Sequence, residues 1–529
     1  MIELLQQYAS QAAQTGSESP AVILGSDQWT YGAIEAFSNR MARAIRAAGC
    51  RRGDRVAFCL PKSPQTIACI LGILKADCLY VPIDPASPPA RASKIIESAE
   101  PGLVLVDELF SPTNAPLAWL GATPLKPVTQ SYVFDLDDVN RMSADPIACL
   151  NTTADPAYIF YTSGSTGIPK GVVITHANVI GFIEWAKRYF GMNSEDRVSG
   201  HAPLHFDLSV FDIFGAFAAG AQLHLVPASL NISAKGVAEF IRRSELTQWF
   251  SVPSQLTYMA KFDAIRQDDF KSLKRLMWCG EVLPTPVLRY WMERVPHVSF
   301  TNLYGPTEAT IASSYFTVPE VPEADDSIPI GHACDGEELF VLDDQLQPVP
   351  LGDTGALYIG GKGLSPGYWR DLQKTEAAFV GNPRIYNTGD IARVGSHGLV
   401  YFVGRADSQI KSRGYRIELG EIEAALNCID GLKEAAVVAI PSDRFENWLI
   451  CCAYCPSLEG QMIPAVLKKI LRETLPSYMI PARWMVSETL PKNVNGKIDR
   501  PLLRTWFQDI EEGVTHASSQ LSTANSVSI

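Results

Sequence analysis

The sequence of 529 residues has no uninterrupted apolar run long enough to cross a membrane. Its most apolar stretch, residues 208–230, is broken by Asp212, Gln222, His224 and Pro227, so it predicts a buried helix followed by a strand. The first residues, MIELLQQYASQ, lack the basic segment and apolar core that are typical of a signal peptide. These two absences predict a protein that does not associate with membranes.

The cysteines lack the spacing that is typical of zinc ribbons or disulfide frameworks. The 11 cysteines are scattered between Cys50 and Cys455, and an odd number without framework spacing indicates free thiols in a reducing compartment, the cytoplasm. Cys452 and Cys455 form a lone CxxC pair. Because a zinc ribbon needs a second pair, these two cysteines are expected to be buried in a strand.

Basic charge is in deficit, with 45 Lys and Arg against 57 Asp and Glu and a net charge of −12. This balance supplies no electrostatic footprint for nucleic acid, whereas a partner with a basic patch would be attracted. Hydrophobic residues make up 47% and charged residues 19%, which is typical of a folded protein. No internal repeat is evident, and the length predicts two to four packing units.

The order of apolar patterns predicts an α/β fold in two domains. Helical and strand patterns alternate over residues 33–106 and again from residue 158 to about residue 305, with an irregular connection over residues 110–155. Residues 338–403 are β-rich, and a compact α+β pattern follows. We therefore expect a large N-terminal domain (1–406) of mixed sheets, helices and a β-rich subdomain, a small C-terminal domain (407–512) and a disordered polar tail (513–529).

Residues 158–171, YIFYTSGSTGIPKG, form the strongest motif. An apolar strand pattern leads into a loop whose glycines let backbone N–H groups converge on an anion, while hydroxyls and a lysine add donors and charge. A flexible surface loop would not require the buried strand. The motif therefore predicts a phosphate-binding loop formed by Thr162, Ser163, Gly164, Ser165, Thr166, Gly167 and Lys170.

Residues 302–310, NLYGPTEAT, form a second motif. Tyr304 offers an aromatic face for a purine, and the turn at Gly305 presents Thr307 and Glu308. A single carboxylate beside phosphates suits Mg²⁺, which keeps most of its waters. A buried glutamate that caps a turn would show the same pattern, so this motif alone is weak evidence.

These two motifs and five further runs, in the same order, resemble the adenylate-forming superfamily, which includes acyl-CoA synthetases, luciferases and the adenylation domains of nonribosomal peptide synthesis. The likeness covers about residues 20–505. The further runs are Leu74 to Pro85, Gly355 to Trp369, Tyr386 to Asp390, Gly404 to Glu418 and Pro491 to Arg500. One run departs from the family pattern, because Ser365 and Pro366 stand where Ala-Arg is common, which leaves a contact near the domain boundary in question.

The resemblance implies an enzyme that uses ATP and Mg²⁺, with roles for individual residues. Lys497 would reach both the substrate carboxylate and the α-phosphate, and such a desolvated cation lowers the barrier where two anions meet. Asp407 would be the hinge about which a mobile C-terminal domain rotates between adenylation and thiol transfer. The remaining roles are ribose binding by Asp390 with Arg405 nearby, adenine binding by Gly280, Asn302 and Tyr304, contact of Thr307 with the α-phosphate, and Mg²⁺ binding by Glu308.

The run that begins at His205, HFDLSVFDIF, resembles the segment that recognises the amino acid in amino-acid activators. Asp207 would pair with the substrate ammonium, although an aspartate before a helix is also a common N-cap. The other matched pocket positions carry no charge and are Leu208, Phe211, Ser251, Met277, Cys279, Leu303, Ile311 and Ala312. They favour a small uncharged amino acid, alanine first and then serine, glycine or cysteine, with proline as an alternative.

The expected product is an aminoacyl thioester on the phosphopantetheine arm of a separate carrier protein, since the tail after Arg500 shows no carrier motif. Residues 277–284 also resemble D-alanine–carrier-protein ligases, so the chirality of the substrate stays open. The enzymatic alternative is an acyl- or aryl-CoA ligase of the same fold, which would not depend on Asp207. A family member that only binds partners is disfavoured because Lys170, Glu308, Asp390 and Lys497 are all present.

Overall fold

The structure is a computed structural model, and it describes residues 2–106, 130–133, 136–164, 169–442, 448–457, 462–493 and 497–511. These residues form two compact units. The first comprises the described parts of Met1–Pro85, Ile96–Tyr161 and Gly171–Ala406, and the second those of Ala86–Ile95, Thr162–Lys170 and Asp407–Ile529. The chain has the mixed α/β architecture predicted from the sequence, with a large N-terminal domain and a small C-terminal domain.

The α-helices are numbered here in chain order. They are α1 (Gln6–Gly16), α2 (Tyr31–Ala47), α3 (Pro64–Lys75), α4 (Pro89–Ala99), α5 (Leu136–Arg141), α6 (His176–Phe190), α7 (Leu208–Val210), α8 (Ala216–Ala219), α9 (Ala234–Arg243), α10 (Pro253–Lys261), α11 (Thr285–Arg294), α12 (Leu372–Ala378), α13 (Leu419–Asn427), α14 (Pro464–Leu471) and α15 (Arg500–Glu511). A π-helical turn, Phe211–Gly215, joins α7 to α8.

The strands are numbered in the same way. They are β1 (Pro20–Leu24), β2 (Asp27–Thr30), β3 (Arg55–Cys59), β4 (Leu79–Pro82), β5 (Leu103–Val106), β6 (Gln130–Val133), β7 (Pro156–Thr162), β8 (Lys170–Thr175), β9 (Arg197–Gly200), β10 (Gln222–Leu225), β11 (Gln248–Ser251), β12 (Arg275–Cys279), β13 (Ser299–Tyr304), β14 (Ser314–Thr317), β15 (His332–Ala333), β16 (Glu337–Leu342), β17 (Thr354–Gly361), β18 (Gly367–Tyr368), β19 (Phe379–Val380), β20 (Ile385–Val394), β21 (Val400–Arg405), β22 (Gln409–Ser412), β23 (Tyr415–Glu418), β24 (Leu432–Pro441), β25 (Trp448–Pro456) and β26 (Arg483–Val486).

A nine-stranded sheet forms one half of the first unit, in the order β15-β14-β13-β12-β11-β9-β10-β1-β2. The strands from β13 to β1 in this order run parallel, which requires crossovers such as α10 between β11 and β12. Both β11 and β12 are buried along their whole length, as expected of parallel strands that helices cover on both faces. The sheet therefore has an interior set of strands whose carboxyl ends share one edge.

The rest of the first unit contains a seven-stranded sheet, β18-β8-β7-β4-β3-β5-β6, and a five-stranded sheet in which β21 joins the order β16-β17-β20-β19 through β20. Local signals start several of its helices. Ser63 caps α3 by accepting the N–H of Thr66 at 3.1 Å, and Pro64 occupies the first turn, where its missing N–H costs nothing. Nearly every residue of α3 is buried, so the helix lies in the core of the unit.

In the second unit, β24, β25 and β26 form a three-stranded sheet, and β22 and β23 form a separate two-stranded ribbon. The apolar faces of α13 and α14 contribute Ile422, Leu426, Leu467 and Leu471 to one buried cluster. Cys451, Cys452 and Cys455 are buried on β25. These cysteines are therefore core residues of a strand, as their spacing predicts.

The sequence-based interpretation of residues 110–155 as an irregular connection is wrong where the structure describes this segment, because β6 and α5 lie within it. The sequence signal is weak there because both elements are short. Residues 107–129 and the predicted tail after residue 511 lie outside the described residues. Among the helices that the structure describes, none has the length and apolarity to cross a membrane.

Candidate active site

The carboxyl ends of β11, β12 and β13 bring predicted pocket residues together at one edge of the nine-stranded sheet. Ser251, the last residue of β11, pairs with Trp278, and Cys279, the last residue of β12, pairs with Leu303. Ligands of open α/β sheets bind outside the carboxyl ends of their strands. The register of these strands thus places part of the predicted substrate site where the fold type favours one.

Asp207 directly precedes α7 but does not cap it. Its backbone is helical and its side chain makes no capping hydrogen bond. Instead, Thr307 Oγ1 donates a hydrogen bond to Asp207 Oδ2 at 2.7 Å, and Asp207 is 8% exposed. The alternative interpretation as an N-cap is therefore wrong, and the carboxylate is a buried group linked to the second motif.

Phe211, four residues after Asp207, packs against two other aromatic rings. Phe211 starts the π-helical turn, an irregularity that is frequent at functional sites. Its ring packs edge-on against Phe182 at 5.3 Å and Phe250 at 5.5 Å. The turn thereby directs Phe211 into the core instead of continuing a regular helix.

The eight predicted pocket residues are all buried. Seven of them belong to the main hydrophobic core of the first unit: Leu208, Phe211, Met277, Cys279, Leu303, Ile311 and Ala312. The eighth, Ser251, accepts a hydrogen bond from Trp249 Nε1 at 2.9 Å and donates to the carbonyl of Val252 at 3.4 Å. The set therefore offers no charge to a substrate side chain.

A strained turn follows Glu308. Thr310 and Ile311 have φ values of +59° and +69°, and a β-branched residue in this region is a genuine outlier. Thr310 Oγ1 holds the turn by donating to the carbonyl of Gly363 at 2.6 Å, and Sγ of Cys279 lies 3.9 Å from the carbonyl of Ile311. Such strain clusters at binding sites. The sequence analysis missed Thr310 as a positioning residue although it stands in the second motif.

Glu308 is fully buried and accepts a hydrogen bond from Tyr368 Oη at 2.8 Å. Tyr368 was missed from the sequence, although it belongs to the run from Gly355 to Trp369. No group of three or more His, Cys, Asp or Glu residues is placed to hold a metal among the residues that the structure describes. Mg²⁺ needs only one or two carboxylates when substrate phosphates supply other ligands, so Glu308 fits such an ion.

Asp390 lies at the centre of a buried hydrogen-bonded group. Tyr304 Oη donates to Oδ2 at 2.5 Å and Arg405 Nη1 donates to Oδ1 at 2.5 Å, while the N–H of Asp390 bonds to Thr388 Oγ1 at 3.0 Å. Burial, and then the charge of Asp390, raise the pKa of Tyr304 well above its ordinary value. The phenol therefore stays protonated and acts as a donor.

The two other residues predicted to frame adenine also occupy constrained positions. Asn302 Nδ2 donates to the carbonyl of Pro329 at 2.8 Å, and Gly280 has a φ of +99°, which L residues rarely adopt. At Gly305, a Cβ atom would lie 2.6 Å from Cα of Ala312. Only glycine fits this close approach.

In the second unit, the described part of the predicted phosphate-binding loop contacts carboxylates. The N–H of Gly164 donates to Glu421 Oε2 at 3.3 Å, and Lys170 Nζ lies 3.7 Å from Glu418 Oε1. Arg91 Nη1 binds the other oxygen of Glu421 at 2.6 Å. The N–H of Gly164 and the ammonium of Lys170 thus both bind anionic groups. Glu418, Glu421 and Arg91 were not predicted, because no sequence pattern signals such distant partners.

Two further residues of the loop, Thr162 and Ser163, differ in whether their hydroxyls have a hydrogen-bond partner. Ser163 Oγ donates to the carbonyl of Arg416 at 2.6 Å, whereas the hydroxyl of Thr162 is buried without a hydrogen-bond partner among the described residues. Such a hydroxyl is an available group for a ligand. Ser165, Thr166 and Gly167 lie outside the described residues.

Lys497 and Asp407 are exposed residues of the second unit. The N–H of Lys497 donates to Asn493 Oδ1 at 3.1 Å, and its carbonyl accepts the N–H of Asn493 at 2.7 Å. These reciprocal bonds hold the backbone of Lys497 against Asn493. Asp407 Oδ1 accepts the N–H of Gln409 at 3.1 Å, which orders the chain just before β22.

Ser365 departs from the family pattern without leaving a defect. It is fully buried, its Oγ donates to the carbonyl of Val173 at 2.7 Å, and the same Oγ accepts the N–H of Gly367 at 2.9 Å. Arg384 binds the carbonyls of Ser365 and Pro366, each at 2.8 Å. The serine thus satisfies its own polar group within the first unit.

Family models match most of the chain. The model of the AMP-binding enzyme matches residues 8–369, and that of the AMP-binding enzyme C-terminal domain matches residues 421–497. Among curated proteins, tyrocidine synthase 2 of Brevibacillus parabrevis is 32% identical over 98% of this chain. The chain spans 14% of the length of that synthase, so it corresponds to a small part of such a relative.

Two further relatives are comparable in length to this chain. The L-proline–(L-prolyl-carrier protein) ligase of Streptomyces coelicolor is 34% identical, and the match covers 91% of this chain and 92% of the ligase. A crystal structure of the Vibrio cholerae adenylation domain AlmE in complex with glycyl-adenosine-5'-phosphate superposes with a TM-score of 0.83 at 25% identity. That match covers 96% of this chain and 98% of the other.

Proposed function

The chain belongs to the family of AMP-binding enzymes, which are adenylate-forming ligases, and on that premise we propose that it activates a small uncharged amino acid with ATP and loads it onto a carrier protein. The acceptor is the thiol of a phosphopantetheine arm. The single observation that carries the amino-acid assignment is Asp207, a buried carboxylate held by Thr307 beside an uncharged set of pocket residues.

Asp207 recognises the α-ammonium group of the substrate. A buried carboxylate is costly unless a cation or donors compensate it, and Thr307 supplies one donor. An acid without an amine offers this carboxylate no cationic group, so the site favours substrates that carry an amine. This argument favours an amino acid over the simple acids that an acyl- or aryl-CoA ligase would take.

The uncharged lining selects a small side chain. Phe211, Met277 and Leu303 fill volume, and none of the eight lining residues offers a charge. Alanine is the favoured substrate, with serine and glycine next. The glycyl adenylate bound to AlmE is in line with a small side chain. The L-proline ligase supports proline as the specific alternative.

Adenylation forms a bond between a substrate carboxylate oxygen and the α-phosphorus of ATP, and it breaks the bond to pyrophosphate. Thr162, the N–H of Gly164 and Lys170 bind phosphate oxygens, and Asp390 with Arg405 orients the ribose. Lys497 neutralises charge at the reacting oxygens, which is worth most in a dry site. Glu308 would hold Mg²⁺, which would supply further charge neutralisation at the phosphates.

Thiol transfer then forms the thioester. The thiolate attacks the carbonyl carbon of the aminoacyl adenylate, the bond from that carbon to the phosphate oxygen breaks, and AMP leaves. Asp407 is the residue whose backbone rotation separates this step from adenylation. The proposal divides the chain at this residue, into residues 1–406 and 407–512.

The test is ATP–pyrophosphate exchange with the purified protein against a panel of L- and D-amino acids, acetate, propionate and benzoate. Alanine is expected to give the fastest exchange, and the acids without an amine none above background. Faster exchange with proline would establish the alternative substrate. Exchange with propionate equal to that with alanine, together with formation of a CoA thioester, would overturn the proposal in favour of an acyl-CoA ligase.

A further inference from the structure

Two buried side chains, those of Lys62 and Asp212, bind the backbone at the start of the segment that carries Asp207. Lys62 Nζ donates to the carbonyls of Gly200 at 2.7 Å and His201 at 2.9 Å. Asp212 is 1% exposed, and its Oδ2 accepts the N–H of Ala202 at 3.3 Å. Neither side chain has a role in the proposed chemistry, so their burial needs another explanation.

Electrostatics indicate that the two side chains act on each other. Burial lowers the pKa of Lys62 to about 8, and the charge of Asp212 acts in the opposite direction. Burial raises the pKa of Asp212, and the charge of Lys62 opposes that rise. Burial, and then the charge of Lys62, lower the pKa of the His201 ring to about 3, so the ring contributes no charge. For both Lys62 and Asp212, therefore, the effect of burial on the pKa outweighs the charge of the other group.

Lys62 and Asp212 bind the chain segment that leads to Asp207. Residues 201–207 form the connection between β9 and α7, and Asp207 is its last residue. Lys62 binds backbone at the start of this connection, and Asp212 reaches back to the same place from the π-helical turn that follows α7. Both side chains thus hold the start of the connection, and Asp212 links it to the π-helical turn that follows α7.

Two apolar residues would fill the same space without the desolvation cost of two buried charges. An apolar pair would not bind the backbone of Gly200, His201 and Ala202 in fixed directions. Asp212 Oδ1 is buried without a hydrogen-bond partner among the described residues, so the pair is not optimised for stability alone. Its arrangement serves the geometry of the connection.

We propose that Lys62 and Asp212 are positioning residues for amino-acid recognition, which fix residues 201–207 so that the Asp207 carboxylate meets the substrate ammonium. This inference rests on the proposed function. It assigns to the two side chains an effect on amino-acid binding and none on ATP binding. Neither of them touches the substrate.

The test measures KM for alanine and for ATP in pyrophosphate exchange with Lys62→Met, Lys62→Arg and Asp212→Asn. KM for alanine is expected to rise about tenfold in the Met and Asn variants, a change of about 1.4 kcal/mol in binding. KM for ATP is expected to stay within about twofold of the unaltered protein. Lys62→Arg, which keeps a cationic donor, is expected to recover most of the affinity for alanine.

Lys75→Met is the matched control. Lys75 is a second buried lysine of the same unit, paired with Glu35 at 2.7 Å and Asn39 at 2.8 Å, and it has no contact with residues 201–207 among those described. Its loss is expected to lower the melting temperature and leave KM for alanine unchanged. Equal effects of Lys62→Met and Lys75→Met on KM for alanine, or a parallel rise in KM for ATP, would refute the positioning role.

Two outcomes separate this inference from the proposed function. If the unaltered protein exchanges with no amino acid, the proposed function fails before any variant is compared, and this inference fails with it. If the unaltered protein exchanges with alanine and Asp212→Asn keeps its KM, only the inference fails. Asp212→Asn keeps the shape of the side chain, so it decides the question if Lys62→Met does not fold.

Discussion

The Asp207 carboxylate accepts a hydrogen bond from Thr307 Oγ1, although its place before a helix is typical of an N-cap. A cap serves the helix by satisfying its first N–H groups. Asp207 does not cap its helix, and the proposal assigns to its carboxylate the recognition of the substrate ammonium. At the residue scale, therefore, the substrate assignment depends on this one side chain.

We predict that Asp207→Ala abolishes amino-acid-dependent pyrophosphate exchange. Removing one partner of a buried, hydrogen-bonded charge pair costs about 2–5 kcal/mol, so kcat/KM for alanine should fall by more than about thirtyfold. Asp344→Ala, at an exposed loop position, is the control and should be fully active. Retained activity in Asp207→Ala would refute the recognition role.

His176 predicts a pH dependence of stability. The ring is fully buried, Nδ1 accepts the N–H of Leu5 at 3.2 Å, and burial lowers the pKa from 6.5 to about 4. Because the unfolded chain takes up the proton first, stability is present above pH 6.5 and is lost as the pH falls towards 4. As the pH falls from about 7.5 to about 5.5, this residue should lower the free energy of unfolding by about 1.4 kcal/mol.

The measurement is urea unfolding of the protein and of His176→Asn at these two pH values. Over the same pH interval, the free energy of unfolding of the variant is expected to fall by about 1.4 kcal/mol less than that of the unaltered protein. His201 and His224, whose pKa values burial also lowers, stay present in both proteins and cancel in the comparison. Identical pH dependence of the two proteins would contradict the assignment.

At the element scale, α4 and α13 are joined by the Arg91–Glu421 ion pair, and both side chains are almost fully buried, at 7% and 3% exposure. The same glutamate accepts the N–H of Gly164. One carboxylate thus contacts Arg91 of α4 and Gly164 of the phosphate-binding loop, and all three residues belong to the second unit. A pair of this kind makes the elements depend on one another, since either charge alone is costly to bury.

We predict that Arg91→Met destabilises the second unit by about 3–5 kcal/mol, because it leaves Glu421 buried without its cation. Adding Glu421→Leu should restore most of this loss, since an apolar pair carries no desolvation penalty. Arg141→Met removes an exposed pair with Asp138, 73% and 43% exposed, and should change stability by less than about 1 kcal/mol. Thermal unfolding distinguishes these cases, and a double variant no more stable than Arg91→Met would contradict the argument.

At the scale of the whole molecule, the proposal places the boundary between the domains after residue 406. The division of the described chain into two units supports this boundary, although Ala86–Ile95 and Thr162–Lys170 group with the later residues. A hinge residue has to change its backbone angles without breaking regular structure. Asp407 fits this requirement because it lies between β21 and β22.

We predict that Asp407→Pro keeps pyrophosphate exchange and loses thioester formation on a carrier protein. Proline fixes φ near about −65° and so blocks the rotation that the second half-reaction requires. Asp407→Ala is the control, and it should support both half-reactions. Equal survival of both half-reactions in Asp407→Pro would show that this residue is not the hinge.

The sequence by itself determined the fold class, the family resemblance and most element positions, because these depend on local apolar period and on contiguous runs. The alternation of helical and strand patterns predicted over residues 33–106 agrees with the observed order α2, β3, α3, β4, α4 and β5. The runs around Glu308 and Asp390 were evident for the same reason, since glycines, hydroxyls and charges stand at short spacing. The short elements β6 and α5 were missed because few residues carry their signal.

Only the tertiary structure decided which of these groups touch. The Thr307–Asp207 bond, the Tyr304–Asp390–Arg405 group and the carboxylates at Gly164 and Lys170 join residues far apart in the chain. The hydrogen bonds of Lys62 to the carbonyls of Gly200 and His201 are of the same kind. Their contacts follow from strand order and register, which arise from packing over the whole unit, and no local pattern in the sequence encodes them.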